Sequence, residues 1–482
     1  MILDKDLASI QEVRNLLAAA KAAQQQIASY PQEKINDLCR AIANACYDQR
    51  EPLAKMAHEE TGFGLWQDKV IKNAFGSKVV FEQIKDMKTI GVLSDDTTTG
   101  IMEVAVPMGV VAGLIPSTNP TSTVMYKALI SIKAGNGIVF SPHPNALNSI
   151  LATIAVINEA IESVGGPVGL VGCMSKATMQ GTSELMKHND TAIILATGGS
   201  AMVKAAYSSG TPAIGVGPGN GPAFIERSAN IKQAVKHILD SKTFDNGTIC
   251  ASEQSIVVEE VSKAAVVAEL EQQGGYFLSV AEAKQLEQFI MRANGTMNPQ
   301  IVGKSVQRIA DLAGLNVPQT ARVLIAEETR VGPKAPYSRE KLAPILAFYT
   351  TATAEAACAL CIDILNQEGA GHTMVIHSED KQIIREFALH KPVSRLLVNT
   401  PGALGGIGAT TNLMPALTLG CGAVGGSSTS DNISPTNLFN IRRIAYGVRE
   451  LEELRGETPA TTNDAQEELI NSLIEKVLER LH

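Results

Sequence analysis

VVAGLIPSTNPTSTVMYKALISIKAGNGIVF, residues 110–140, is the stretch on which the fold turns. Val110 to Ile115 is a continuous apolar run of strand length, Ser122 to Lys133 carries a helical pattern, and Gly137 to Phe140 is a second short apolar run. Strand, helix and strand in such quick succession make a βαβ unit, which sets two parallel strands in one sheet and buries them on both faces. The rhythm extends outward, with further β-like runs at Ile101–Val106, Ala192–Ala196 and Ala223–Ile225 and a helical pattern over Ala146–Val164. A second series runs from Ser255-Ile-Val-Val258 through Arg395-Leu-Leu-Val398. The expected class is therefore α/β, two parallel-sheet domains in sequence with helices on both faces and ligands at the carboxyl ends of the strands. Upstream, the first ~90 residues read as helices, with Ile10, Val13 and Leu17 on one stripe and Ile35, Leu38, Ile42 and Cys46 on another after Pro31.

The 482 residues, 45% hydrophobic with 40 glycines, exceed the roughly 250–300 at which a single core stops growing, so two or three domains are expected. A net charge of -8 without clustered Lys and Arg excludes nucleic acid as the main partner. No apolar run approaches the ~20 residues of a membrane span. The N-terminus, MILDKDLASIQEV, lacks a basic segment followed by an apolar one, so a cytoplasmic protein without a membrane partner is expected. The seven cysteines, at 39, 46, 173, 250, 358, 361 and 421, form no disulfide framework. Cys358 and Cys361 have CxxC spacing inside a stretch that reads as an amphipathic helix. With no second pair at metal-ligand spacing, they read as buried helical cysteines, and no metal is implied.

Three stretches carry candidate chemistry. In Thr243-Phe-Asp-Asn-Gly-Thr-Ile-Cys-Ala-Ser-Glu-Gln-Ser255, Cys250 sits among small and polar residues, a setting that suits a nucleophile, since a thiol attacks only as thiolate; a structural cysteine in a turn is the plainer alternative. Pro116-Ser-Thr-Asn-Pro-Thr-Ser-Thr123 follows a strand and opens a helix, placing Asn119 and its neighbouring hydroxyls where free N–H groups could stabilise a developing oxyanion; a simple turn and cap fits as well. The glycine clusters Ala196-Thr-Gly-Gly-Ser200 and Gly215-Val-Gly-Pro-Gly-Asn-Gly221 allow close approach of backbone to a ligand, although neither is GxGxxG and a tight turn would also account for them.

Together, STNPTS (117–122), FSPHP (140–144), ILATGG (194–199), AAYSSGTPAIGVGPGN (205–220), SKTFDNGTICASEQS (241–255), REKLAP (339–344), GHT (371–373) and LTLGCG (417–422) resemble the CoA-acylating aldehyde dehydrogenases. The likeness covers roughly residues 5–448 and points to the acetaldehyde dehydrogenase half of bifunctional alcohol/aldehyde dehydrogenases and to the aldehyde dehydrogenases of bacterial microcompartments. It implies the aldehyde dehydrogenase fold: a Rossmann-like nucleotide-binding domain, an α/β catalytic domain and a small β oligomerisation arm. It further implies that Cys250 is the nucleophile and that Asn119, with the Cys250 N–H, forms the oxyanion hole. Ser117, Thr118, Pro142, His143, Gly217 and Gly219 fall to the cofactor, Thr197, Gly198 and Gly199 to its pyrophosphate, and Glu340 to the nicotinamide ribose. His372 assists the thioester step or is a hydrogen-bonded structural histidine.

A departure from the hydrolytic relatives bears on the second substrate. Those enzymes activate water with the glutamate of Glu-Leu-Gly-Gly-Lys, where this chain reads Val216-Gly-Pro-Gly-Asn220. Without that base, the thiol of coenzyme A is the expected acyl acceptor. The expected reaction is reversible oxidation of an aldehyde of the acetaldehyde or propionaldehyde class by NAD and coenzyme A to acyl-CoA and NADH. A polar aldehyde such as sulfoacetaldehyde, and hydrolysis to the free acid, are the alternatives. Ser141-Pro-His-Pro144 replaces the Lys-Pro-x-Glu that grips the adenosine ribose, which leaves NADP open beside NAD. No iron-dependent alcohol dehydrogenase half follows in this sequence. A homodimer or tetramer is expected.

The expected boundaries are a nucleotide-binding domain over 1–222 with part of the arm near 86–106, a catalytic domain over 223–411, the arm and return over 412–450, and a linker over 451–463. The helix expected over 464–482 starts with Asp464 as N-cap and Glu467 at N3, and carries Leu469, Ile470, Leu473, Ile474, Val477, Leu478 and Leu481 on one stripe. It reads either as a helix docked on its own domain or as an encapsulation peptide that binds shell or cargo proteins inside a bacterial microcompartment.

Overall fold

The computed structural model describes residues 4–456 and 462–480. Gly91–Asp96 (β1) and Ile101–Pro107 (β2) form an antiparallel ribbon. Next come β3 (Val110–Ile115), β4 (Gly137–Pro142), β5 (Val171–Cys173), β6 (Thr191–Thr197) and β7 (Ala213–Val216), a parallel sheet in the order 5-4-3-6-7. The strands β8 (Pro222–Ile225), β9 (Ser255–Glu259), β10 (Gly275–Phe277), β11 (Val323–Glu327), β12 (Ile345–Thr351), β13 (Gly371–His377) and β14 (Val393–Val398) form a second parallel sheet, in the order 10-11-12-9-8-13-14. Finally β15 (Phe439–Ala445) joins β2, away from β1.

Both parallel sheets are covered on two faces, which is why their strands are apolar without alternation. All six residues of β3 and of β4 are buried. On one side Val110, Ala112 and Leu114 of β3 pack with Val139 and Ile194 against Val13, Leu17 and Ala20 of the first helix, Lys5–Ile27. The helix Pro120–Lys133 is buried at every position, so it carries no polar stripe. In the larger sheet Ile256 and Val258 face a layer built on Val235, Ile238 and Leu239, while Val257 faces the layer that holds Cys361, Ile364 and Leu365. Cys361 is thus a core residue and Cys358 is half-buried on the same helix, Ala354–Gln367.

The chain divides into two compact units, Met1–Ile90 with Val106–Asn440, and Gly91–Ala105 with Ile441–His482. Of the span 412–450, expected to hold both the arm and the return to the nucleotide-binding domain, residues 412–440 fall in the first unit and 441–450 in the second. The cause is packing, since Thr418, Leu419 and Cys421 are buried and Leu419 bridges to Asn432. In the second unit β1 is exposed along both of its faces, while β2 is mostly half-buried with Ala105 buried, and Arg443 pairs with Glu103 at 3.0 Å. Leu451–Leu454 makes a single helical turn capped by Glu450 and Glu453, where a linker was expected from 451; residues 457–461 of that linker lie outside the described residues. The last helix runs over Thr462–Leu478, so it begins before Asp464, which stands inside its first turn and is not its N-cap. No helix among the described residues is long and apolar enough to cross a membrane.

Candidate active site

A cavity of about 630 Å³ opens in the first unit and is lined by Ser117, Thr118, Asn119, His143, Thr197, Gly198, Gly199, Gly217, Cys250 and Glu340. Three further sequence-predicted residues do not line it. Pro142 is buried at the end of β4, and Gly219 and His372 support Cys250 from behind. The smaller sheet contributes from the carboxyl ends of β3, β4, β6 and β7, as expected of an open α/β sheet. The larger sheet contributes from the opposite, amino ends, because Cys250 precedes β9 and Glu340 precedes β12. The expectation of carboxyl-end binding therefore holds for one sheet and is reversed in the other.

Cys250 is presented by a run of left-handed backbone, Asp245 (φ 48°), Asn246 (φ 52°) and Gly247 (φ 76°). Asp, Asn and Gly are the residues that tolerate this region best, which explains the DNG signature two positions before Ile249. A Cβ at Gly219 would stand 1.9 Å from the Cys250 carbonyl oxygen, so only glycine lets β8's approach pass behind the thiol. His372 Nε2 lies 3.2 Å from Cys250 Sγ. The polar surroundings inferred for this thiol do not favour its ionisation. Burial, then the charges of Glu340 and Cys421, push its pKa up to about 12, with Arg395 opposing. Burial and then Arg395 pull His372 down to about 3, so its ring is neutral at physiological pH.

The Asn119 amide is held at both ends. Its Nδ2 donates to the Thr248 carbonyl at 3.2 Å, and its Oδ1 accepts from Lys72 Nζ at 2.6 Å. Lys72 also donates to Thr248 Oγ1 and to the Asp245 carboxylate, which takes a second lysine, Lys69, at 2.9 Å. Lys69 in turn donates to the Thr118 carbonyl. All three charged side chains are at most 3% exposed, and together they tie the 116–119 loop to the turn carrying Cys250. Burial lowers Lys72 to about 8 against the opposing Asp245 charge. Burial alone would raise Asp245, but the two lysines outweigh it and hold its carboxyl below the usual range. Lys69, Lys72 and Asp245 escaped the sequence reading. The available signal was the i, i+3 lysine pair on the helix Trp66–Ala74, which looks like an ordinary solvated face until its depth is known.

The other end of the cavity fits a dinucleotide. The helix Ser200–Tyr207 starts at Gly199 without a side-chain cap, so its first N–H groups are free for a phosphate. A Cβ at Gly199 or Gly217 would meet nothing within 4 Å, which marks open room beside that terminus. Glu340 Oε1 accepts from the Gly219 N–H at 2.9 Å, and Oε2 has no protein partner among the described residues, as a ribose-binding carboxylate requires. Burial pushes Glu340 up to about 8, the Gly219 bond opposing and Glu368 adding to the rise. At the adenosine end His143 is exposed, and no carboxylate lines the cavity beside it.

The sequence model of the aldehyde dehydrogenase family matches residues 2–412. The chain belongs to the aldehyde dehydrogenase family. The two parallel sheets and the β ribbon are this aldehyde dehydrogenase fold. A crystal structure of a probable aldehyde dehydrogenase from Listeria monocytogenes EGD-e is 74% identical, with a TM-score of 0.93 over 94% of this chain and 100% of that one. An acetylating aldehyde dehydrogenase from Geobacillus thermoglucosidasius is 52% identical, with a TM-score of 0.92 over 93% of this chain and 99% of that one. The bifunctional aldehyde-alcohol dehydrogenase of Escherichia coli K12 is 44% identical over 442 residues, 91% of this chain and 50% of that protein. This aldehyde dehydrogenase thus spans about half the length of the first curated relatives it matches.

Proposed function

We propose that the protein oxidises a short-chain aldehyde, with NAD and coenzyme A, to acyl-CoA and NADH through a thioester on Cys250, and runs the reaction in reverse. The observation that carries this reading is the placement of Cys250 Sγ against a neutral His372, close to the clamped Asn119, in a cavity whose wall is Val216 where hydrolytic relatives carry their base.

Cys250 Sγ adds to the aldehyde carbonyl, and Asn119 Nδ2 with the Cys250 N–H holds the oxygen that becomes anionic; such a donor contributes roughly 3–4 kcal/mol. The nicotinamide, when bound, supplies the hydride acceptor. The residues that would hold the dinucleotide are the first turn of Ser200–Tyr207 for the pyrophosphate and Glu340 for the ribose. Val216 offers no lone pair to a water molecule, so water is a poor second nucleophile and the coenzyme A thiol takes the acyl group. The absence of a carboxylate at His143 weakens discrimination between NAD and NADP.

The lining supports an apolar aldehyde of the acetaldehyde or propionaldehyde class. Ile249, Met297, Val302 and Leu417 are apolar, and the cations of the wall are already engaged. Lys72 serves Asp245, Arg339 is paired with Glu368 at 3.3 Å, and Lys341 donates to the carbonyls of Tyr337 and Arg339. Of these groups only Arg339 Nε is without a hydrogen-bond partner among the described residues, so a sulfonate would meet one free N–H and no unpaired cation. The terminal helix supports a second role. Leu469, Ile470, Leu473, Ile474, Val477 and Leu478 are each 51–62% exposed, an unpartnered stripe suited to docking on a shell or cargo protein of a microcompartment. We further propose that the exposed strand β1 of the second unit serves assembly into a homodimer or tetramer.

The test is NADH formation from aldehyde and NAD with and without coenzyme A. Strict dependence on coenzyme A, abolished by Cys250→Ala, is expected; equal rates without it would assign the protein to hydrolysis.

A further inference from the structure

His372 is reached by a chain of hydrogen bonds that fixes where its ring proton sits. Thr373 and Arg395 are direct register partners on β13 and β14. Arg395 Nε donates to Thr373 Oγ1 at 3.2 Å, and Thr373 Oγ1 lies 3.0 Å from His372 Nδ1. The rest of the guanidinium is spent on the carbonyls of Gly420 and Ser430 and on Asn432 Oδ1. His372, Thr373 and Arg395 are 0%, 1% and 4% exposed, so water does not compete for these bonds.

A guanidinium can only donate. Its bond to Thr373 therefore occupies an acceptor site on the hydroxyl and leaves the hydroxyl proton to find an acceptor of its own. Among the described residues the only acceptor in reach is His372 Nδ1. A buried hydroxyl proton left unpaired is costly, so Nδ1 accepts and the ring proton resides on Nε2. Nε2 is the atom that faces Cys250 Sγ at 3.2 Å.

We propose that Thr373, itself oriented by Arg395, is a positioning residue that locks His372 in the Nε2–H tautomer, making it a fixed hydrogen-bond donor to the Cys250 sulfur and not a base for the incoming thiol. This rests on the reading of Cys250 as the nucleophile. The Cys250 thiol proton leaves to solvent; in the attack step the donor stabilises the resulting thiolate until its electron pair forms the bond to the carbonyl carbon and the carbonyl π pair moves onto oxygen. In acyl transfer the carbon–sulfur bond to Cys250 breaks as the one to coenzyme A forms, and the electron pair returns to Cys250 Sγ, where Nε2–H receives it. The proton of the coenzyme A thiol passes to solvent. The low basicity of the buried ring agrees with a donor that never becomes an imidazolium. The largest charge effects on the thiol come from Glu340 and Cys421, which raise its pKa, and from Arg395, which lowers it.

The test is the rate of alkylation of Cys250 by iodoacetamide from pH 7 to 10, below the thiol's midpoint at about 12, where the rate at each pH follows the thiolate fraction. It is read by mass spectrometry on the peptide that contains Cys250, in the full-length protein without substrates. Thr373→Val should slow the reaction on the order of tenfold at every pH in this range, the effect of losing a bond to an ionised partner. Thr373→Ser, which keeps the hydroxyl, should restore the wild-type profile. His372→Gln, whose amide can still donate, should stay near wild type while His372→Ala falls with Thr373→Val. An unchanged or raised alkylation rate in Thr373→Val, or a His372→Gln profile matching His372→Ala, would overturn the proposal. Alkylation needs neither aldehyde nor coenzyme A, so a failure of the acyl-transfer reading shows up separately, as coenzyme-A-independent turnover in the wild type.

Discussion

Lys72→Met removes the cation that holds Asn119 Oδ1 at 2.6 Å while keeping the length of the side chain. A hydrogen bond from a charged donor contributes about 1.5–3 kcal/mol, and this one biases the amide toward presenting Nδ2 at the thiol turn. At 1.36 kcal/mol per decade, its loss costs about 10- to 150-fold in that bias, and the ceiling is the roughly 10²- to 10³-fold expected when an oxyanion donor is deleted outright. Because Nδ2 also rests on the Thr248 carbonyl, the lower part of the range applies, and kcat should fall by about 10- to 100-fold. Stability should fall too, by less than the roughly 3–5 kcal/mol of a buried charge stripped of its only partner, since Asp245 keeps Lys69 at 2.9 Å, Thr248 Oγ1 and the Leu65 N–H. Initial rates of NADH formation give the first quantity and urea denaturation the second. The decisive arm is the double-mutant cycle with Asn119→Ala, in which Lys72→Met should add little once the amide is gone. A folded Lys72→Met enzyme with kcat within about twofold of wild type, or an effect that multiplies undiminished on Asn119→Ala, would refute the clamp.

Val216→Glu puts a carboxylate into the cavity wall, at the position that the motif likeness matches to the hydrolytic enzymes' base, and should raise NADH formation in the absence of coenzyme A by about 100-fold, the lower end of general-base contributions. Glu340 has a folded-state pKa near 8, raised above its unfolded value. Its contribution to stability is therefore fully present below the usual carboxylate pKa and is lost as pH rises through about 8, so Glu340→Gln should gain stability relative to wild type between those limits in urea titrations at several pH values. Deleting residues 457–482 removes an exposed stripe, and kcat and melting temperature should stay at wild-type values while association with microcompartment shell or cargo proteins is lost.

The sequence made the two parallel sheets legible because burial on both faces leaves apolar runs such as Val110–Ile115, and βαβ periodicity leaves little choice of topology. Asn119, Thr197, Cys250 and Glu340 were joined in one site by the family resemblance of their motifs, and all four line one cavity. What the sequence concealed depends on depth. Lys72 and Asp245 are ordinary surface residues by type, and only a packed structure shows that both are buried and joined. The carboxyl-end rule describes the smaller sheet, whereas Cys250 is carried at the amino end of β9 by a left-handed turn that a periodicity reading passes over. The tautomer of His372 was out of reach for the same reason, because Thr373 and Arg395 meet only through the register of β13 and β14. Where the arm ends and the return begins within 412–450 was equally hidden, because the sequence marks how apolar Leu419 and Cys421 are and not which surface they cover; both pack in the first unit.

The most direct test of the central claim is to incubate the protein with aldehyde and NAD without coenzyme A, digest it, and weigh the Cys250 peptide before and after coenzyme A is added. An acyl mass on Cys250 that persists in water and disappears on addition of coenzyme A, with acyl-CoA formed in equal amount, is the predicted result. A peptide that never carries the acyl group, or one that loses it to water as fast as to coenzyme A, would contradict the account.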